Sequence, residues 1–277
     1  MKKVKSFISS FFINVPIMIL SITCIFPVLW LLYSSVKTDA EFTISPSALP
    51  TKIHFDNFVN AFKRANFGTF TFNSLFNSLV SLALVLFLSF ILGYVLSRYR
   101  FRGRNFIYGV LMVSMMIPVY ALIVPVFIQE KNMGLLNTRF ALIPVYVALE
   151  LPTSVFLVDG YLKSISIDLE DAASIDGAGM LRTMFTIMMP LCKPILSTII
   201  ILTFMHVWNE FAFAQVLLTD EGIKTIPIGL TYFTSQYSTS YTLLLSALAM
   251  ATIPVIVIYL FFYNKIMEGM MAGAIKG

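Results

Sequence analysis

Residues 72–97 read FNSLFNSLVSLALVLFLSFILGYVLS, a stretch without one charged side chain, and Arg98-Tyr99-Arg100-Phe101-Arg102-Gly103-Arg104 follows at once. An α-helix rises about 1.5 Å per residue, so about 20 apolar residues cross the hydrocarbon layer of a bilayer. This stretch is long enough, and its apolar residues do not alternate with polar ones as a half-buried strand requires. Five further blocks of the same kind run roughly over 11–34, 106–128, 140–162, 191–218 and 241–264. Hydrophobic residues make up 58% of the chain and charged residues only 12%, about half the charge of a soluble domain. The expected fold is an all-α membrane protein with six transmembrane helices in one domain over 1–277. Pro16, Pro27, Pro118, Pro144, Pro152 and Pro254 fall inside the blocks, where neighbouring helices can satisfy the backbone groups they free.

The 19 Lys and Arg lie in the connecting segments, save Lys193 at the very start of the fifth block. Lys2, Lys3, Lys5, Arg98, Arg100, Arg102, Arg104, Lys163, Arg182, Lys193, Lys265 and Lys276 lie on one side. The seven others, from Lys37 to Lys224, lie on the opposite side. Basic residues concentrate in cytoplasmic loops, so both termini are expected inside the cell. The basic excess therefore has a membrane explanation and does not call for nucleic acid. The lysine-rich start followed by an apolar run resembles a signal peptide in outline. However, 11–34 is too long for one and no small-x-small cleavage site follows, so it reads as an uncleaved first span. Cys24 and Cys192 fit no metal spacing and read as small buried hydrophobes.

With this orientation the longest cytoplasmic loop is 163–190. It contains Ser166-Ile167-Asp168-Leu169-Glu170-Asp171-Ala172-Ala173-Ser174-Ile175-Asp176-Gly177-Ala178-Gly179. Ser166 is placed as the N-cap, with Asp168, Glu170 and Asp171 in the first turn, where acids complement the helix dipole. Gly177 and Gly179 can end the helix. Leu169, Ala172, Ala173 and Asp176 then share a small, flat face suited to a groove on another protein. A helix lying on the membrane surface is the other reading, but such helices carry basic polar faces and bulky apolar residues. This one is acidic with alanines at its middle.

Here the chain resembles the permease subunits of binding-protein-dependent ABC importers. Their cytoplasmic signature is Glu-Ala-Ala, three residues, Gly, nine residues, then Ile-x-Leu-Pro. The match is Asp171-Ala172-Ala173, Gly177, and Ile187-Met188-Met189-Pro190, with Asp171 in place of the glutamate and Met189 in place of the leucine. The run Ala173 to Ala178 looks like the carbohydrate-uptake branch. Asn73-Ser74-Leu75, Met116-Ile117-Pro118, Trp208-Asn209-Glu210-Phe211 and Gly273 to Gly277 agree with it. The resemblance implies a type I importer-like permease of the maltose-type second-subunit kind, in the cytoplasmic membrane. It would pair with a second, homologous permease, two cytoplasmic ATPase subunits and an extracytoplasmic solute-binding protein.

It also implies a coupling helix docked in an ATPase cleft, with Glu170, Asp171, Ala172, Ala173, Asp176, Gly177 and Pro190 as coupling residues. Lys276 would lie in a tail that reaches the ATPases. Many relatives open this helix with proline, where Ser166 stands here. The external segment Thr38 to Gly68, with His54-Phe55-Asp56-Asn57-Phe58, would face the solute-binding protein.

No Gly-x-x-x-x-Gly-Lys-Ser/Thr loop occurs, so ATP and magnesium are expected on the partner ATPase and no cofactor on this chain. No nucleophile–base pair or metal cluster is evident, and the chain is not expected to be an enzyme. Ionisable residues inside spans are costly and usually face a cavity or a partner. Glu150, His206 and Glu210 are such residues, with Asn209 beside them. Asp159 lies near the cytoplasmic end of the fourth span, without an evident role. Sugars need hydrogen-bonding groups and aromatic faces, so Tyr120, Tyr146, Glu150, Trp208, Asn209, Glu210 and Phe211 are the substrate-pathway candidates, against helix packing as their alternative role. The leading functional reading is an ATP-driven sugar or oligosaccharide importer subunit. Its alternatives are an ion-coupled carrier using Glu150 and Glu210, an ABC permease for a non-sugar solute, and a structural membrane scaffold.

Overall fold

The computed structural model describes the backbone of residues 2–234 and 240–274 and the side chains of residues 13–234 and 240–263. Lys276 lies outside the described residues. Helix α1 (Lys2–Ser34) is followed by two short helices, α2 (Asp39–Ile44) and α3 (Asp56–Arg64), and by the long α4 (Phe67–Arg98). Next come α5 (Arg104–Met116), α6 (Ile123–Asn132), α7 (Leu142–Leu162) and α8 (Asp168–Ile175). The chain continues through α9 (Met180–Leu191), α10 (Lys193–Asn209), α11 (Ala212–Leu217), α12 (Ile226–Leu230) and α13 (Tyr241–Ala274).

Four of these helices carry apolar spans long enough to cross a membrane: Ile13–Ser34, Phe67–Arg98, Leu142–Leu162 and Tyr241–Tyr263. The third and fifth expected spans, 106–128 and 191–218, are not single rods. The chain bends by 100° between Arg104–Met116 and Val119–Asn132, and by 76° between Met180–Leu191 and Lys193–Asn209. At the first break Ile117 is extended (ψ 125°) ahead of Pro118. Proline's ring pushes the preceding residue out of the helical region, which is why the helix ends there. At the second, Pro194 sits in the first turn of α10, where its missing N–H costs nothing. Counting each bent pair as one gives six spans.

Contacts divide the chain into two compact units, residues 1–67 with 229–253 and residues 68–228 with 254–277. In the first, the loop after α1 is organised by polar groups. Lys37 is fully buried, and its ammonium donates to the carbonyls of Ser45 at 3.2 Å and Pro46 at 3.0 Å. The Asn57 amide donates to the carbonyls of Ser35 and Lys37 at 2.9 and 2.7 Å. Asp39 accepts from the Thr242 amide and hydroxyl at 3.0 and 2.8 Å. The Thr51 amide donates to Glu41 Oε1 at 2.6 Å and holds that carboxyl below its ordinary range. Within His54–Phe58, then, Asn57 is the anchor, while Phe55 stands 69% exposed.

In the second unit a large cluster joins α4, α7, α9 and α10 through Val85, Phe90, Tyr94, Val158, Leu162, Met188, Cys192 and Ile199. Cys192 is buried, as expected, whereas Cys24 is exposed on an apolar helix. Gly93 allows α4 and α7 to meet. A Cβ there would lie 2.6 Å from Val158 Cγ1 and 3.2 Å from the Val155 carbonyl. Because valine is stiff at χ1 it cannot step aside. Gly93→Ala should therefore lower stability by ~1–3 kcal/mol, measured as thermal unfolding of the purified importer. Gly160→Ala, whose added Cβ meets nothing within 4 Å, is the control that should stay near wild type.

Asn73 and Ser74 also gain a reason. The Asn73 amide donates to the carbonyls of Gly222 and Lys224 at 2.9 and 3.0 Å, and the Ile226 amide donates to Ser74 Oγ at 2.9 Å. Asn137, at φ 58°, accepts from the amides of Thr219 and Asp220. These side chains pin the segment leading from α11 to α12.

Candidate functional site

Two features of the second unit bear on function. The first is the loop around α8. The helix begins at Asp168, one residue later than a Ser166 cap would give. Ser166 Oγ instead accepts from the Asp168 amide at 3.2 Å and donates to its carboxylate at 2.7 Å, closing a tight turn in front of the helix. The C-terminus ends as expected. Gly177 takes φ +77°, the Ala178 amide donates to the Ala173 carbonyl at 2.9 Å, and the Gly177 amide donates to that of Ser174 at 3.0 Å. This is a Schellman closure around a left-handed residue.

The faces of α8 differ from the sequence expectation. Ala173 is buried within the chain. Glu170 turns inward as well. Its Oε2 accepts from the Tyr94 hydroxyl at 2.7 Å and its Oε1 pairs with the Arg98 guanidinium. The same guanidinium donates to the Ile165 carbonyl at 3.0 Å. Both charged side chains are nearly buried, at 9% and 13% exposure. Asp168, Asp171, Ala172 and Ile175 form the outward face, joined at the rim by Leu169 and Asp176. Ile175, which the expected face did not include, is 87% exposed. Its place on the outward face depends on the phase that Glu170's burial sets. Pro190 is exposed in the turn that closes α9, just after a π-helical stretch over Thr183–Met188. Asp159, near the end of α7, is buried and pairs with Lys163 one turn on, at 2.6 Å.

The second feature is a cavity of about 910 Å³. It is lined from α5, α6, α7, α10 and α11, by the break after α5, and by a further interruption between α10 and α11; the bend between α9 and α10 does not reach it. Ile117, Val119 and Tyr120 come from the break after α5. Asn209, Glu210 and Phe211 come from the break between α10 and α11, where Glu210 is extended (ψ 128°). Backbone leaves the helix at membrane depth only where it is buried in protein or lines a cavity, and here both breaks face one space.

Of the candidate pathway residues, Tyr120, Tyr146, Glu150, Asn209, Glu210 and Phe211 line this cavity. Tyr120 and Phe211 are 76% and 41% exposed. Trp208 does not line it. It is buried and stacks on Phe204 with centroids 5.4 Å apart, one helical turn away, so it serves packing. Glu210 is largely spoken for. It accepts from the amides of Phe213 (2.7 Å) and Ala214 (3.1 Å), capping α11, and from the Tyr146 hydroxyl at 2.8 Å. Among the described residues Glu150 is met only by His206, whose Nδ1 lies 3.2 and 3.3 Å from its two oxygens. Sequence reasoning missed Ser114, Met115 and Thr153, small or flexible residues on the same wall. Nothing marks them in one dimension.

Comparison with known proteins decides the family. The sequence profile of the binding-protein-dependent transport system inner membrane component matches residues 85–266. The chain belongs to this family. It is a permease subunit of an ABC importer, a multi-pass component of the inner membrane, and ATP is hydrolysed on a separate partner. The permease is 36% identical to the diacetylchitobiose uptake system permease protein of Streptomyces coelicolor, over 92% of this chain and 85% of that one. It is 33% identical to the arabinooligosaccharides transport system permease protein of Bacillus subtilis, over 94% and 93%. A bacterial ABC transporter involved in import of the acidic polysaccharide alginate has a chain of the same fold. The TM-score is 0.81 with 25% identity, over 94% of this chain and 97% of that one.

Proposed function

We propose that this permease moves a sugar or oligosaccharide, in one transmembrane domain with both termini cytoplasmic and α8 as its coupling helix. It works with a second, homologous permease, two cytoplasmic ATPase subunits that bind ATP and magnesium, and an extracytoplasmic solute-binding protein met by the segment 38–68. The observation that carries the substrate reading is the cavity. Two helix breaks open on it, exposed aromatic faces stand at Tyr120 and Phe211, and hydrogen-bonding groups stand at Glu150, His206 and Asn209. Aromatic bodies with a few placed polar groups are what binding pockets for such ligands use. Relatives named for diacetylchitobiose and for arabinooligosaccharides point the same way. The test is uptake of labelled oligosaccharides into proteoliposomes holding the complete importer. Accumulation should require ATP on the ATPase side. Accumulation without the ATPases would overturn the reading.

The coupling assignment rests on the outward face of α8. Asp171, Ala172, Ile175, Asp176 and Gly177 are exposed there, while Glu170 and Ala173 hold the helix to its own chain. An isoleucine left 87% exposed has little to lose within this chain, and surface substitutions typically shift stability by less than ~0.5 kcal/mol. Ile175→Asp should thus leave the fold intact yet reduce ATPase co-purification at least about tenfold, because an apolar anchor centred in an interface dominates its affinity. Undiminished ATPase capture and uptake by that variant would remove α8 as the docking element.

A further inference from the structure

The cavity wall has a charge pattern of its own. Among the described residues its lining contains two carboxylates, Glu150 and Glu210, one imidazole, His206, and no lysine or arginine. Even with His206 protonated, the ionised wall carries no net positive charge. The two carboxylates also differ in what they can still do. Glu210 oxygens already accept from two amides and the Tyr146 hydroxyl, whereas among the described residues Glu150 faces only the His206 ring. An ionised carboxylate has about four lone-pair positions, so Glu150 retains acceptor sites turned to the cavity. His206, 66% exposed at its side chain, stands beside it.

Resting on the saccharide reading above, we propose that this cavity takes uncharged saccharides and rejects anionic ones, with Glu150 as the residue that discriminates. A neutral sugar presents hydroxyl donors to the open oxygens of Glu150 and lays its apolar face on Tyr120 or Phe211. A uronate brings a second carboxylate into the same partly desolvated space. Like charges repel strongly where water screens poorly, and among the described residues no lysine or arginine lines this wall to compensate. Fold likeness to a protein described as importing an acidic polysaccharide does not extend to this wall, because substrate charge is read by side chains rather than by the helix framework.

The test uses the purified importer complex without its solute-binding protein, so that only the membrane cavity is read. Raffinose, a neutral trisaccharide, and trigalacturonate, its anionic counterpart in size, are titrated against the wild type, Glu150→Gln and Glu150→Lys. The readout is the ratio of the two affinities within each sample, which does not depend on the fraction of folded protein. Wild type should favour raffinose by at least about tenfold, an affinity ratio equivalent to about 1.4 kcal/mol. Glu150→Gln should shrink that ratio severalfold and Glu150→Lys should shrink it further or invert it. Equal binding of both sugars by wild type, or a ratio unchanged in Glu150→Gln, overturns the inference and leaves the saccharide reading standing. If the complex binds no neutral or acidic oligosaccharide yet imports a solute that is not a sugar, the saccharide reading fails and the inference with it.

Discussion

Arg98→Ala is expected to cut ATP-driven uptake at least about tenfold while the importer still hydrolyses ATP. The Arg98–Glu170 pair is the one direct charge link between the end of α4 and α8 among the described residues, and both side chains are nearly buried. Removing one partner of such a pair typically costs ~3–5 kcal/mol, chiefly because the other charge is left without compensation. In Arg98→Ala, Glu170 would keep only the Tyr94 hydroxyl, and the Ile165 carbonyl would lose its donor. The cheapest relief is for Glu170 to swing into water, which detaches α8 from α4. Under the proposed coupling role, a detached α8 would still occupy the ATPase but would no longer transmit movement to the spans. Uptake per ATP hydrolysed by the reconstituted importer is therefore the decisive measurement. The double variant Arg98→Met/Glu170→Leu supplies the contrast, since apolar replacement of a buried pair is often neutral for stability. Its thermal unfolding should return toward wild type. Single variants with uptake within about twofold of wild type would show that the link is not part of coupling.

Gly177→Val should abolish most transport, whereas Gly177→Asn should keep a substantial part of it. Space is not the issue, because a Cβ at Gly177 meets nothing within 4 Å. The conformation is, because φ is +77°. A left-handed residue costs a non-glycine roughly 1–2 kcal/mol. Valine, β-branched, is among the worst fits, while asparagine visits this region routinely. With valine the chain would leave the left-handed state and give up the two closing hydrogen bonds from Gly177 and Ala178. The path from α8 into α9 would then change direction, and with it the angle at which Asp171, Ala172 and Ile175 are presented. Uptake and ATPase co-purification should both fall in the order Gly, Asn, Val. Equal loss in Asn and Val would indicate that side-chain bulk against the partner, not backbone conformation, is what this position tolerates poorly.

Much of the architecture was legible along the chain because the bilayer demands it. Residues 72–97 had to be a spanning helix, since a backbone in hydrocarbon must satisfy its own hydrogen bonds. The helix at 168–175 was legible from its acidic first turn and from Gly177, which are local signals. Its phase was not. Nothing within the loop says that Glu170 rather than Asp171 turns inward. That depends on Arg98 and Tyr94, more than seventy residues earlier in the chain. The same holds for Trp208. It sits in the right stretch for a substrate contact, but Phe204 one turn earlier takes it into the packing. Asp159, without a role on paper, is paired by a lysine one turn away that only a helix brings near.

The sequence by itself determined that this is a membrane-spanning helical protein with a short acidic helix, in the loop after the fourth span, that a glycine ends. Those properties follow from length, hydrophobicity, charge placement and local backbone preference, each set by residues close together in the chain. Only the tertiary structure decided that the spans at 106–128 and 191–218 are interrupted, and that both interruptions open on one cavity. Only it decided that Glu210 is committed to capping while Glu150 keeps free acceptors. The reason is physical. A proline or a polar residue in a span can be absorbed by neighbours or can open a cavity, and the neighbours that decide are brought together by packing across dozens of residues.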